Sequence, residues 1–241
     1  MVNWYSANKG RLEEVIEIFF SNPLKIKNKK MHGLIVPHAG YEFSGEIAGK
    51  VFSLLKNKNF KKAIVVGPSH RCSFYGLAKL PNIKTPLGRV EIINSDIKEL
   101  DGLNYEHSID NQIPFLQVLN INKILPVVVG NLTKEDAKKI ASEILKCLNK
   151  ETVLIISTDL SHFLNYITAK EKDSNTIKAI KKLDIEYFLK EENSACGLFP
   201  LMILIELCKL KNWKPRLIEY KNSGDIIGNK NSVVGYATFV F

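Results

Sequence analysis

Leu34-Ile35-Val36-Pro37-His38-Ala39-Gly40-Tyr41-Glu42-Phe43-Ser44-Gly45 reads as the end of a buried strand and the start of a loop. Three branched aliphatics in a row suit a strand covered on both faces, Pro37 stops it, and Gly40 and Gly45 punctuate the loop. His38 is therefore delivered to a strand end with nothing local to satisfy its ring. Taken alone, such a residue is a loop histidine bonded to backbone. What gives it weight is that the same design returns twice along the chain.

Ala63-Ile64-Val65-Val66-Gly67 is a second aliphatic run, ending in Pro68-Ser69-His70. Val153-Leu154-Ile155-Ile156 is a third, running into Ser157-Thr158-Asp159-Leu160-Ser161-His162. Leu125 to Gly130 and Val233 to Val240 are further strands by the same reading. Helical periodicity fills the intervals. Ser6 to Phe20 turns Leu12, Val15, Ile16 and Phe19 to one side, with Pro23 just beyond. A helix from about Ser44 does the same with Ile47, Val51, Leu54 and Leu55. Thr133-Lys134-Glu135-Asp136 has capping-box spacing and opens a stripe of Ala137, Ile140, Ala141, Ile144, Leu145 and Leu148. Thr168 to Lys190 and Leu198 to Lys211 complete the helices. Tyr105 to Leu116 reads as a polar loop leading into a short helix, and prolines and glycines break up residues 76–105. Strands aliphatic on both faces, alternating with amphipathic helices, predict an α/β fold. The expected architecture is a single three-layer domain over residues 1–241, with a mainly parallel or mixed central sheet and helices on both faces.

Composition narrows the function classes. Among 241 residues no run approaches the ~18 apolar residues of a membrane span. The start, Met1-Val2-Asn3-Trp4-Tyr5, lacks the pattern of a secretion signal, so a cytoplasmic protein is expected. The four cysteines, Cys72, Cys147, Cys196 and Cys208, show no CxxC pairing, which fits a reducing compartment. A net charge of +9 invites nucleic acid. Yet the arginines are only Arg11, Arg71, Arg89 and Arg216, and the lysines, as in Lys25 to Lys30 and Lys56 to Lys62, are interleaved with no aromatic but Phe60. Solvated lysine faces explain the charge better.

In open α/β sheets, ligands bind beyond the carboxyl ends of the strands. His38, His70 and the Asp159/His162 pair each come just after an aliphatic run, so parallel strands bring them to one edge. His38 and His70 suit a transition metal, with a carboxylate or thiolate as third ligand. Cys196 is the leading thiol, beside Gly197 at the start of a helix, where thiolate is favoured. Cys72 is a reserve ligand, and Cys147 and Cys208 fall within helical stripes as core residues. His162 with Asp159 suits acid-base work, the aspartate orienting the ring. Glu106-His107-Ser108 adds polar groups. Ser69 beside His70 raises nucleophilic catalysis, but no G-x-S-x-G elbow accompanies it, and neither G-x-G-x-x-G nor a P-loop is present.

Pro37-His38-Ala39-Gly40-Tyr41 with Ser44-Gly45, Gly67-Pro68-Ser69-His70, Thr85-Pro86-Leu87-Gly88, Glu106-His107-Ser108 with Gln112, Ser157 to His162, and Cys196-Gly197 with Pro200 resemble, in order, the Memo family. This is the family of AmmeMemoRadiSam system protein B. The resemblance implies a fold similar to class III extradiol ring-cleaving dioxygenases, which bind non-haem iron through two histidines and a carboxylate. It implies His38, His70 and Cys196 as metal ligands, Asp159 and His162 as catalytic pocket residues, and Trp4 as a pocket wall, with Tyr41, Ser69, Glu106 and His107 as further substrate-binding candidates. Arg71 stands where many relatives carry a second histidine, and Asp110 where relatives often have Glu.

The expected function is a metal-binding protein with a redox or oxygen-handling site, dioxygenase-like. Iron(II) is the leading metal, with copper or zinc as alternatives, since sulfur favours softer ions. The rival is a non-catalytic module that receives a peptide or small ligand in the same pocket. The family resemblance also implies association with a radical-SAM protein and an AMMECR-type protein.

Overall fold

The structure is a computed structural model that describes residues 4–21, 24 and 30–241. Met1 to Asn3, Pro23 and Lys25 to Lys29 lie outside the described residues, so the expected helix stop and most of that lysine face lie outside them too. In chain order the elements are α1 (Lys9–Phe20), β1 (Gly33–Val36), α2 (Glu46–Phe52), β2 (Lys62–Pro68), β3 (Leu77–Lys79), β4 (Lys84–Thr85), β5 (Gly88–Arg89) and β6 (Glu91–Ile92). Next come α3 (His107–Asp110), α4 (Ile113–Val118), β7 (Lys123–Val129), α5 (Lys134–Cys147), β8 (Thr152–Ser157) and β9 (His162–Leu164). The chain closes with α6 (Tyr166–Lys182), α7 (Ile185–Lys190), α8 (Leu198–Lys211), β10 (Arg216–Asn222), α9 (Ser223–Ile227) and β11 (Val233–Val240).

The main sheet has the order β10-β11-β1-β8-β2-β7-β3. β1, β8, β2 and β7 run parallel, β11 and β3 run against them, and β10, antiparallel to β11, returns to their direction, so the sheet is mixed. Successive side chains of a strand alternate faces. Ile35, Ile64, Val66, Leu154 and Ile156 pack with α5 to α8, while Leu34, Val36, Val65, Val153 and Ile155 pack with α1, α2 and α4. The result is three layers. Each such aliphatic contributes about 1.5–3 kcal/mol on burial, which pins the strands against sliding. Register then sets the site: Val36 pairs with Ser157 and Val66 with Ile156, so the carboxyl ends of β1, β8 and β2 stand level.

Capping chemistry explains most boundaries. The Asn8 side chain accepts from Arg11 N at 3.0 Å and starts α1 three residues later than periodicity predicts. The Thr133/Asp136 capping box forms as expected. The stretch expected to be one helix from Thr168 to Lys190 is two. Leu183 adopts a left-handed φ of 57°, and Asp184 caps α7 by accepting from Tyr187 N. At the other early helix, the chain coils from Tyr41, through a wide π turn ahead of α2, before the expected Ser44.

Two expectations need correction. Cys147 is exposed, because at 100° per residue it lies roughly 70° off the centre of the Ala137, Ile140, Ala141 and Ile144 stripe. The polar stretch before Leu116 is helical from His107 and largely interior, with Glu106, Ser108, Asn111 and Gln112 all buried. Its polar atoms are spent on the strand-end loops: Asn111 Nδ2 donates to His38 O at 2.6 Å, and Gln112 Nε2 to Pro37 O at 2.9 Å. Among the described residues no helix is long and apolar enough to cross a membrane.

Candidate metal centre

The levelled strand ends carry His38 beyond β1, His70 beyond β2 and Asp159 beyond β8. His38 is 2% exposed, and its main-chain N–H donates to Asp159 Oδ1 at 2.8 Å. Its Nδ1 lies 2.9 Å from Ser157 Oγ, a hydroxyl that also accepts from Gln112 Nε2 at 2.9 Å. Burial, reinforced by His70 and His107, holds the His38 pKa well below its usual value, so the ring is neutral. On its far side, His38 Nε2 lies 3.2 Å from Cys196 Sγ. Cys196 arrives from the turn before α8 and receives the Asp159 N–H at 3.2 Å.

Glu106, fully buried, organises the opposite wall. Its Oε2 accepts the His70 main-chain N–H at 2.7 Å, and its Oε1 lies 3.0 Å from His70 Nδ1 and 3.1 Å from His107 Nδ1. Burial alone raises a carboxylate pKa, but here the bonds from His107, His70 and Ser108 outweigh it and hold Glu106 well below the usual range. An ionised carboxylate only accepts, so both Nδ1 atoms carry hydrogens and both Nε2 atoms are turned away from it. His70, Glu106 and His107 are close enough to resemble a second metal triad. The carboxylate oxygens, however, are already occupied by N–H donors, so the group works as an orienting clamp. His162 obeys the same logic: its Nδ1 lies 2.8 Å from Leu160 O, an acceptor only, so Nδ1 carries a hydrogen.

A cavity of about 430 Å³ joins these groups, lined by His38, His70, His107, Asp159, His162 and Trp4. Trp4 stacks flat on His107, 4.3 Å between ring centroids and 4° from parallel. The structure thus brings together His38, His70, Cys196, His162, Asp159, Glu106, His107 and Trp4. Two candidates stand apart. Tyr41 stacks on Phe115 at 4.7 Å, donates to Asn111 O at 2.9 Å, and faces a separate cavity of about 500 Å³. Ser69 Oγ donates to Cys72 O at 2.6 Å and borders a side cavity of about 370 Å³ shared with His70 and Cys196.

A family model described as Memo-like protein matches residues 2–240. The chain belongs to the Memo family. It is 32% identical to a MEMO1 family protein of Thermoplasma volcanium over 257 residues, covering 98% of this chain and 94% of that one. It is 34% identical to a MEMO1 family protein of Sulfurisphaera tokodaii over 273 residues, covering 99% and 96%. A third relative, from Archaeoglobus fulgidus, is 31% identical over 259 residues, covering 99% and 96%.

Within this Memo-family pocket, sequence reasoning missed the second tier. Ser157 and Gln112 support His38, and the Leu160 carbonyl, rather than Asp159, fixes the His162 tautomer. Asp159 instead braces the His38 backbone, and burial raises its pKa against the pull of His162. Ser157 carried a signal, being the last residue of its strand. A main-chain carbonyl carries none.

Proposed function

We propose that this Memo-family chain binds one transition-metal ion through His38, His70 and Cys196, iron(II) foremost and copper or zinc as alternatives. The site serves redox or oxygen-handling chemistry in which His162 exchanges a proton. The observation that carries the reading is that donor atoms of His38, His70 and Cys196 all lie within 4.8 Å of one another. The donor chemistry fits. Burial and the neighbouring Asp159 raise the Cys196 thiol pKa, so a thiolate here calls for a cation beside it. Two neutral imidazoles and a sulfur suit a borderline or soft divalent ion.

The bound metal would supply Lewis acidity and, for iron or copper, an electron. The chain supplies the rest. Glu106 fixes His70 with its Nε2 free, and Ser157 together with Gln112 fixes His38. His162 Nε2 takes a proton from a ligand hydroxyl in the cavity, and the Leu160 carbonyl stabilises the imidazolium that results. The Trp4/His107 stack walls the cavity and favours a flat ligand against it.

Metal analysis of protein purified without added metal tests the assignment. Close to one iron or copper per chain is expected, and its loss in His38→Ala and in Cys196→Ser. Metal content unchanged in both variants would overturn the assignment and leave a ligand pocket without a metal role.

A further inference from the structure

β9 carries His162 and pairs with β11 out of simple register. Leu164 faces Val233 and His162 faces Val234, so Phe163 is the extra residue of a bulge. Phe163 adopts a φ of 60°, in the left-handed region where glycine is the unstrained choice and a bulky residue is an outlier. The residue is 78% exposed. Strain of this kind clusters at ligand sites, and an exposed ring offers little packing to offset it here.

The neighbourhood indicates a task. The Phe163 ring stands edge-on to His162, 5.6 Å between centroids. It lines a groove of about 1,060 Å³ that also reaches His70, His162 and Cys196. β9 contributes Phe163 and Leu164 to this groove, α7 contributes Leu189, and α8 contributes Leu198 and Phe199. Leu189 is itself 42% exposed. The groove is mostly but not wholly apolar, since Asn131, Lys172, Glu192 and Asn193 also line it, and it reaches the imidazoles of His70 and His162, ring nitrogens that can pair with a polar head. Its volume is at the upper end for a small-molecule site.

We infer that this groove seats the apolar arm of a small amphipathic ligand, an alkyl or aryl-alkyl chain ending in a hydroxyl-type head, and that Phe163 covers that arm. The inference takes from the metal-site reading only what the head group meets. The bulge aims the ring, and the left-handed backbone holds it over the channel.

The test uses the full chain, stripped of metal by chelation and again loaded with zinc, titrated with phenol, 4-propylphenol and 4-hexylphenol. Affinity is expected to rise about threefold per methylene as the chain fills the groove. Phe163→Gly is expected to weaken 4-hexylphenol at least about tenfold, to change phenol less than about twofold, and to keep or raise the melting temperature as the backbone strain is released. Leu189→Glu, at another residue lining the groove, acts likewise on the hexyl probe. Affinities independent of chain length overturn the inference, as does undiminished hexylphenol binding in both variants. Metal content is measured in parallel. Chain-length dependence in a protein that holds no metal supports the groove while the metal assignment alone falls. Full metal loading without chain-length dependence does the reverse.

Discussion

Glu106 grips His70 twice: Oε2 accepts its main-chain N–H at 2.7 Å, and Oε1 lies 3.0 Å from its ring Nδ1. One buried carboxylate therefore fixes both the position of the loop and the tautomer of the ring. The same Oε1 also holds His107. Glu106→Gln keeps the shape but offers one acceptor oxygen where four N–H groups converge, from His70 twice, His107 and Ser108, and it removes the charge. Metal affinity is expected to fall about 10- to 100-fold, as when other orienting partners of a ligating histidine are lost. Competition against a chelator of known affinity measures it. An affinity equal to wild type sinks the clamp assignment.

Asp110 accepts from the Tyr5 hydroxyl, tying the N-terminal segment that holds Trp4 to the wall of the cavity. Burial pushes its pKa from 3.8 up to about 6, against the Tyr5 bond and His107, which both favour the charged form. The folded state therefore binds this proton more tightly than the unfolded state does. Stability falls as pH rises through the window from about 4 to 6 and is level above it. The full effect is at most about 3 kcal/mol, at 1.36 kcal/mol per pKa unit. Asp110→Asn keeps an acceptor for Tyr5 and removes the slope. Its melting temperature is expected to match wild type near pH 4 and exceed it at pH 7. Parallel slopes in the two proteins would show that Asp110 is not the group responsible.

Gly67 permits the approach of the segment that carries Glu106 and His107. A Cβ there would meet Ser108 Oγ at 2.6 Å and Ser108 Cβ at 3.0 Å, while Ser108 Oγ is held by donating to Pro68 O at 2.8 Å. Gly67→Ala is expected to cost about 1–3 kcal/mol, the usual range for overpacking, and to weaken metal binding with it. Ser108→Gly in the same chain clears the clash and should recover part of both losses in urea titrations. A double variant as poor as the sum of the singles sinks the steric account.

The fold was legible where the chain repeats one device. Leu34 to Val36, Ala63 to Gly67 and Val153 to Ile156 each announce a buried strand, and the rule that ligands gather at strand carboxyl ends groups His38, His70, Asp159 and His162 from the sequence alone. Cys196 was legible only through the resemblance and its place before α8. Illegible were the features that depend on direction rather than periodicity. Which strands run antiparallel is one, and the break at Leu183 is another. β9, β10 and α9 were not anticipated, because short elements carry too few residues to show a period. Within the site, the aspartate expected to orient His162 instead holds the His38 backbone, since three residues of spacing do not reveal which way a carboxylate turns.

The loop that delivers His162 is anchored by Asp173, which is fully buried in α6. Asp173 Oδ1 accepts the Ser161 N–H at 2.9 Å, and Oδ2 accepts the Tyr220 hydroxyl at 2.7 Å. Gly235 lies against this carboxylate so closely that a Cβ would come within 2.0 Å of Oδ2, and Gly235 N donates to Ser161 O at 2.9 Å. Asp173→Ala strands two donors and is expected to destabilise by about 2–4 kcal/mol. Asp173→Asn keeps the oxygen that faces Ser161, and because burial already raises the Asp173 pKa, a neutral side chain is the milder change. Gly235→Ala in the wild-type background meets the carboxylate head-on. In the Asp173→Ala background the same methyl group enters space the carboxylate has left. The double variant is therefore expected to be no less stable than Asp173→Ala alone, a strongly non-additive cycle measurable by urea unfolding. Additive losses would show that Gly235 is required for a reason other than Asp173.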